Sequence, residues 1–304
     1  MYDMSPKKQL LALLIFLAAV LLLLAGTIIF LNPLGLLDRK KGPEENNSAN
    51  IPILMYHHFE LEEDVYPGTM ISGEMFESQI KALSEAGYTA ISFEELVDFV
   101  FNGASLPKNP LVITIDDGYL SVYDVAFPIL KKYDMKATVF IIGVSHGRSF
   151  YRNTAHEILP RFNDAQALEM AQSGVISIQS HSYDMHQYEL YEDGPFREGV
   201  LRMEGESEEE YIAAFNNDFE RAASQIEAMV GKRPFVFSYP YGFFSDMTDG
   251  LLIDMGVKVT LTIEEGPNIV ERNSPDSLLS LNRINVPGNT APEDLLRILA
   301  KAVR

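Results

Sequence analysis

The hexapeptide TIDDGY, residues 114–119, sets two carboxylates side by side at the end of the apolar run LVITI, residues 111–115. Adjacent acids at a buried strand end repel each other and lose hydration, a cost relieved when a cation neutralises one and the other serves as a base. Gly118 allows the tight turn that folds both into one cavity. An ordinary surface turn accounts for the same six residues equally well. A second element is therefore needed, and SHSYDMH, residues 180–186, supplies it: His181 and His186 follow the apolar run VISIQ at 175–179. Two imidazoles from one loop and one carboxylate from another make a three-ligand site with open positions for water and substrate, a hydrolytic arrangement rather than a structural one. The five-residue spacing fits neither an HExxH helix nor a zinc finger, and a single loop histidine is usually solvated. Two of the chain's six histidines at one strand end, beside an Asp pair at another, argue against coincidence. His146 and His156 stand in a polar stretch without such company and read as surface residues.

The composition narrows what else these residues could do. Across 304 residues there is no cysteine, which removes disulfides, thiolate metal sites, cysteine nucleophiles and a lipid-modified cysteine. Any metal is left to His, Asp or Glu. With 43 acids against 24 bases the net charge is −19, which excludes a general nucleic-acid partner, since binding polyphosphate begins with cationic neutralisation. From residue 51 onward short apolar, β-branched runs alternate with amphipathic stretches, the pattern of parallel strands with helices packed outside. The strand candidates are 51–56, 111–115, 137–142, 175–179, 235–238 and 257–263. Phe76, Ile80 and Leu83 share a helical face that ends near Gly87, while Ser92 with Glu95, and Thr290 with Glu293, have capping-box spacing. About seven such units suit a closed or nearly closed β/α barrel better than an open sheet, and barrels place their chemistry at the carboxyl ends of the strands.

With these motifs assembled, residues 51–286 resemble the polysaccharide deacetylases that carry a NodB homology domain, carbohydrate esterase family 4. TIDDG is similar to that family's TFDDG motif and implies Asp116 as general base and Asp117 as metal ligand. SHSYDMH is similar to its histidine motif, with the spacing of the branch acting on poly-N-acetylglucosamine, and implies His181 and His186 as the other ligands. PILMYHHF, residues 52–59, resembles that branch's PxLMYH motif and implies His57 as the acid. In a strand, His57 and His58 point to opposite faces and both alternating sets are apolar, so periodicity alone does not choose between them. FSYPYG, residues 237–242, resembles the motif that lines one side of the groove, and implies that the backbone N–H of Tyr241 helps hold the oxyanion. The resemblance further implies a distorted (β/α)7 barrel, a divalent metal (zinc first, with cobalt, nickel or iron accepted by the same donors) and an acetylated polysaccharide as substrate. Three departures stand out. Ser238 occupies the slot of the Arg that usually braces the base, so the brace must come from elsewhere, and Arg283, in LNRINV, is the residue expected to supply it. The chain has no Trp, so Tyr239, Tyr241 and Phe243 are the expected stacking surfaces. No histidine follows His186. A catalytically inactive glycan-binding or matrix-assembly protein on the same fold is the alternative these departures keep open.

Residues 10–31 contain no charge, and at about 1.5 Å per residue they match a hydrocarbon core of roughly 30 Å. The expectation is an N-terminal transmembrane helix. A cleaved signal peptide is the rival, but its apolar core usually runs about 7–15 residues and ends in a small-x-small site, which does not follow this run. Lys7 and Lys8 on one side face Arg39, Lys40 and Lys41 on the other, so charge does not orient the span. A polysaccharide outside the cytoplasmic membrane does. The expected organisation is a cytoplasmic 1–9, an anchor at 10–31, a linker at 32–50 and the deacetylase-like domain at 51–304, single-pass in a bacterial cell membrane with the domain extracytoplasmic. The first fifty residues carry five bases and four acids, so the remaining 254 hold 19 bases against 39 acids. Part of that acidity falls in residues 188–210, which lack a periodicity and read as a solvated insertion beside the histidine loop.

Overall fold

The computed structural model describes residues 47–60 and 68–302. The expected anchor at 10–31, the segment 1–9 and most of the linker lie outside the described residues. Among the described residues no helix is long and apolar enough to cross a membrane.

In chain order the elements are β1 (Ser48–Asn50), β2 (Ile53–Tyr56), β3 (His58–Glu60), β4 (Met70–Ser72), α1 (Gly73–Glu85), β5 (Thr89–Ala90), α2 (Phe93–Asn102) and β6 (Pro110–Ile115). There follow α3 (Phe127–Lys132), β7 (Ala137–Ile141), α4 (Asp164–Gln172), β8 (Ile176–Ser180), α5 (Glu208–Val230) and β9 (Val236–Ser238). The chain closes with α6 (Asp246–Asp254), β10 (Val259–Leu261), β11 (Ile269–Glu271), β12 (Ile284–Asn285) and α7 (Pro292–Ala302). The main sheet is parallel in the order β10-β9-β8-β7-β6-β2-β12, with β5 on the amino end of β6. Leu261 bridges Leu281, just ahead of β12, so the two edges of the curled sheet approach along an irregular seam. The architecture is a distorted (β/α) barrel.

All six strand candidates lie in this sheet. Their ends are trimmed, most of all at β10, where the run expected over 257–263 pairs only through Val259–Leu261 before Thr262 turns its N–H to Leu281 at the seam. β5 and β12 are two residues each, too short to leave a periodic trace. The strands read as near-continuous apolar runs because both faces are covered. In β6, Leu111, Ile113 and Ile115 belong to the cluster that meets α1, α3 and α4, whereas Val112 joins Ile53, Phe140, Val236 and Val259 in a second cluster. Continuing the second parity along β6 gives Thr114 and then Asp116, and along β2 it gives Met55 and then His57. Two-residue alternation thus delivers both side chains to the same face.

The helices start where their caps require. Ser92 accepts from the N–H of Glu95 while Glu95 returns a bond to the N–H of Ser92, the reciprocal arrangement its spacing anticipates. α1 buries Phe76, Gln79, Ile80 and Leu83. α5, of 23 residues, is opened by a further capping box at Ser207 and Glu210 and closed by Gly231 in the left-handed conformation. The segment 188–210 is largely exposed, as its composition suggested, but it is pinned to the domain at a few buried residues. Arg197 is buried and grips Glu206 through both carboxylate oxygens, at 2.6 and 2.9 Å, and Val200 is fully enclosed against Tyr211. Its acids are partly consumed by internal pairing.

Candidate active site

Four loops at the carboxyl ends of strands, and one residue at the seam, meet at a single point. Asp116 follows β6 directly, and its N–H donates to the carbonyl of Tyr56 at 2.9 Å, which extends the Tyr56↔Ile115 register by one residue. His57 therefore stands opposite Asp116, with Nε2 4.0 Å from Asp116 Oδ2. His181, directly after β8, brings its own Nε2 to 3.9 Å from the same oxygen. The other oxygen of Asp116 is taken: Arg283 Nη1 donates to Oδ1 at 2.7 Å. Arg283 is fully buried, its Nε donates to the carbonyl of Thr262 at 2.7 Å, and 167 residues separate it from the acid it contacts. His58 points the other way, to Ser121 and Glu60, and packs edge-on against Tyr119.

Asp117 turns back into the cavity with φ of +72°, followed by Gly118 at +69°. Its Oδ1 lies 3.8 Å from His181 Nε2 and 3.7 Å from His186 Nε2, and although buried it has no hydrogen-bond partner. His181 Nδ1 meets the carbonyl of Ser238 at 2.7 Å; that carbonyl only accepts, so the proton sits on Nδ1 and Nε2 keeps its lone pair. The His186 ring is held by packing instead, 4.2 Å from the Tyr241 ring centroid and 5.2 Å from that of Tyr188. An orphaned, buried carboxylate oxygen facing two imidazole nitrogens is the donor set of a divalent cation, and the three ligand atoms lie within 4.8 Å of one another. The residues fit the group.

Burial and neighbouring charges oppose each other at these groups. Burial pushes the Asp116 carboxyl upward, but Arg283, then His181 and His57, outweigh it and hold it below the usual carboxylate range. At Asp117 burial is likewise outweighed, by His186 and Arg161 first. Burial lowers His57, opposed by Asp116 and Asp117. His186 is driven down by burial to about 4, which leaves it neutral and able to donate its lone pair at neutral pH.

The FSYPYG loop after β9 forms the remaining wall. Tyr241 adopts φ of +58°, and its hydroxyl donates to the carbonyl of Gln187 at 2.6 Å, tying this loop to the histidine loop. With Asp117 and with Ser182 at +71°, it makes three non-glycine residues in the left-handed region around one cavity. Such conformations are costly and cluster at functional sites. Tyr239, expected as a stacking surface, is instead fully buried, its hydroxyl donating to Asp249 at 2.6 Å. Strand parity carries it behind the wall, and Tyr241 and Phe243 remain as the open aromatic faces. His146, expected on the surface, is mostly enclosed and paired through Nε2 with Asp164 at 2.8 Å, while His156 is exposed.

The sequence model of the polysaccharide deacetylase family matches residues 103–260, more than half of the chain, a span that includes Asp116, Asp117, His181, His186 and Tyr241. The chain belongs to the polysaccharide deacetylase family. This deacetylase is 26% identical over 267 residues to the poly-β-1,6-N-acetyl-D-glucosamine N-deacetylase of Staphylococcus epidermidis, covering 83% of this chain and 86% of that protein. Among solved structures it is similar to the deacetylase PplD of Streptococcus pyogenes, solved in complex with acetate (TM-score 0.64, 26% identity, 83% of this chain and 98% of that one). IcaB of Ammonifex degensii is alike to the same degree, with a TM-score of 0.65, 26% identity and 84% and 98% coverage.

Two residues at the deacetylase site carry no motif. Arg161, almost fully buried, donates from Nη1 to the Asp117 carbonyl at 2.7 Å and lies 3.8 Å over the Tyr119 ring. Asp218 reaches the histidine loop from α5. Its hydrogen bond to Asp117 is to backbone, and no motif spacing betrays Arg161. The turn itself is testable: at Gly118 a Cβ would sit 3.0 Å from Ile141 Cγ2 in a backbone conformation unfavourable to any other residue. Gly118→Ala is expected to lose about 1–3 kcal/mol of stability, read as a lower urea midpoint with an unchanged slope.

Proposed function

We propose that this deacetylase hydrolyses the N-acetyl groups of a poly-β-1,6-N-acetylglucosamine-like polysaccharide outside the cytoplasmic membrane, on a barrel of seven β/α units. The observation that carries the reading is the convergence of Asp117 Oδ1 and the Nε2 atoms of His181 and His186 beside an Asp116 whose Oδ1 is already held by Arg283. The chemistry supplied by a divalent cation on Asp117, His181 and His186, zinc first and cobalt, nickel or iron on the same donors, is polarisation of an amide carbonyl and acidification of a water. Asp116 Oδ2, the oxygen that does not meet Arg283, takes the proton of the attacking water. The backbone N–H of Tyr241 donates to the carbonyl oxygen as it gains charge. His57, its pKa lowered by burial with Asp116 and Asp117 opposing that shift, gives a proton to the sugar nitrogen as the C–N bond breaks. Acetate and a free amino sugar leave. Tyr241 and Phe243 offer the aromatic faces on which the sugar rings rest.

Within the same proposal residues 10–31 anchor the protein in a bacterial cell membrane, 1–9 stay in the cytoplasm, 32–50 form a linker and 51–304 act outside. The full chain, stripped with a chelator, is expected to release no acetate from a β-1,6-linked N-acetylglucosamine oligomer and to regain release when zinc is restored. Release that survives chelation overturns the metal-dependent reading. Oligomer binding without turnover at any metal concentration would favour the catalytically silent, glycan-binding alternative.

A further inference from the structure

The turn between His181 and His186 is gripped from outside the barrel by a residue that belongs to none of the motifs. Asp218 lies on α5, 7% exposed, on the face that buries Tyr211, Phe215, Phe219 and Ala222. Its Oδ1 accepts the backbone N–H of Tyr183 at 2.8 Å, and its Oδ2 accepts that of Asp184 at 2.7 Å. Two successive N–H groups converge on one carboxylate only where the backbone is bent, here just after Ser182 at φ +71°. Bonds of this kind, with an ionised acceptor, are the strong ones. Burial pushes the Asp218 carboxyl up to about 6, so at neutral pH both oxygens still accept.

The turn is held from its other side as well. The N–H of Gly143 donates to Ser182 at 3.1 Å and that of Val144 to Tyr183 at 2.8 Å, so the peptide is clamped between the loop after β7 and α5. There is no slack at this clamp: a Cβ on Gly143 would fall 2.6 Å from Tyr183 Cδ2. The Arg221 guanidinium covers the Tyr183 ring at 3.9 Å, and Arg152 Nε bonds Asp184 at 2.8 Å. Every one of these contacts falls on residues 182–184, between the two imidazoles and on neither.

We propose that Asp218 is a positioning residue for the metal site: its carboxylate fixes the turn at Tyr183 and Asp184, and through that turn the angle and spacing at which His181 and His186 meet Asp117. The proposal rests on the assignment of those three residues as ligands. An apolar helix face has no need of a carboxylate, and a polar residue placed there for packing would not select two consecutive backbone N–H groups. Partners one shell removed from a metal act in this way, and their loss typically weakens metal binding about 10- to 100-fold.

The test is zinc affinity, measured on the full chain in detergent by competition with a chromophoric chelator. Asp218→Asn keeps the shape and one acceptor oxygen but turns an NH2 group toward the second N–H. Its zinc Kd is expected to rise about 10- to 100-fold, and the visible spectrum of the cobalt-loaded variant is expected to change with it. Phe219→Leu, its buried neighbour on α5, serves as the structural control and is expected to lower the melting temperature without moving the zinc Kd. A folded Asp218→Asn that binds zinc within twofold of the parent, with an unchanged cobalt spectrum, overturns the proposal, as does an equal loss of affinity in Phe219→Leu. Should Asp218→Asn fail to fold, the same titration on Asp218→Glu, which keeps the charge and displaces it by one methylene, decides the matter by the same thresholds. His181→Ala separates the two levels of inference: if it binds zinc as the parent does, the ligand assignment itself falls, whereas loss in His181→Ala with no loss in Asp218→Asn removes Asp218 alone.

Discussion

Asp116→Asn is expected to lower the rate of acetate release by about 10²- to 10⁴-fold, the usual range for removing a positioned general base, while leaving zinc affinity within a few-fold of the parent. The two halves of this result come from the two oxygens of one side chain. Oδ1 is bound to Arg283 at 2.7 Å and Oδ2 faces His57 and His181 at 4.0 and 3.9 Å, so one atom orients the carboxylate and the other is left for the proposed proton transfer. Asparagine retains the volume and can keep an oxygen toward Arg283, but the atom presented to water becomes an NH2 group without basicity. The proposed ligands Asp117, His181 and His186 are untouched. Acetate release from an N-acetylglucosamine oligomer, paired with a zinc titration of the same sample, reads both halves. Activity above about a tenth of the parent removes Asp116 from the role of base, and concurrent loss of zinc makes it a ligand instead.

The second large effect belongs to Arg283. Replacing it by Met is expected to destabilise the domain by about 3–5 kcal/mol, because the change strips a buried carboxylate of the cation bonded to it, the only one at hydrogen-bond distance among the described residues, and leaves an uncompensated charge. The sign of its pH dependence follows. Asp116 is held below its ordinary range with Arg283 as the first opponent of burial. Its contribution to stability is therefore present above the ordinary carboxylate pKa and is lost as pH falls through the folded value. In Arg283→Met that contribution is gone, so the gap in stability between parent and variant should narrow as the pH drops into the acid range. Urea unfolding at a series of pH values measures it. A gap that stays constant down to the acid limb would mean that Arg283 contributes through packing and its bond to Thr262 alone. The double variant Arg283→Met, Asp116→Asn should recover much of the lost stability, since the stranded charge is removed with its partner.

The barrel and the residues that converge at its candidate site are largely legible in the sequence, for identifiable reasons. Parallel strands covered on both faces leave apolar runs that composition alone picks out, and the strand ends carried the acids and imidazoles. Parity explains both a success and a failure. It sends His57 toward Asp116 and His58 toward Ser121, as the motif resemblance required, and it also sends Tyr239 into the protein, where an aromatic-rich loop had suggested an open groove surface. Arg283 had no pattern to point to it, since nothing in the sequence joins residues 167 positions apart. Arg161 and the brace from α5 were invisible because each hydrogen-bonds backbone of a motif rather than its side chains, which leaves no spacing to match. Asp218 did leave one trace: it is a lone acid on a helical face otherwise occupied by Tyr211, Phe215, Phe219 and Ala222. The acidic stretch 188–210 is mostly exposed, as composition indicated; what composition could not show is the pairing of Arg197 with Glu206 that pins it down.

β1 pairs antiparallel with β11, and Asn50 Nδ2 donates to the carbonyl of Ala302 at 2.6 Å, so the first and last described stretches of the domain are stitched together. They meet at the end of the barrel from which β2 sets out, whereas the reactive cavity opens at the end where β2, β6 and β8 finish. The domain therefore behaves as a cassette with its handles on one face and its working mouth on the other. Material joined at either handle, whether a fusion partner, a surface tether or a loop reconnecting the two ends in a circular permutant, can be exchanged without crossing the path by which a polymer chain reaches Asp116.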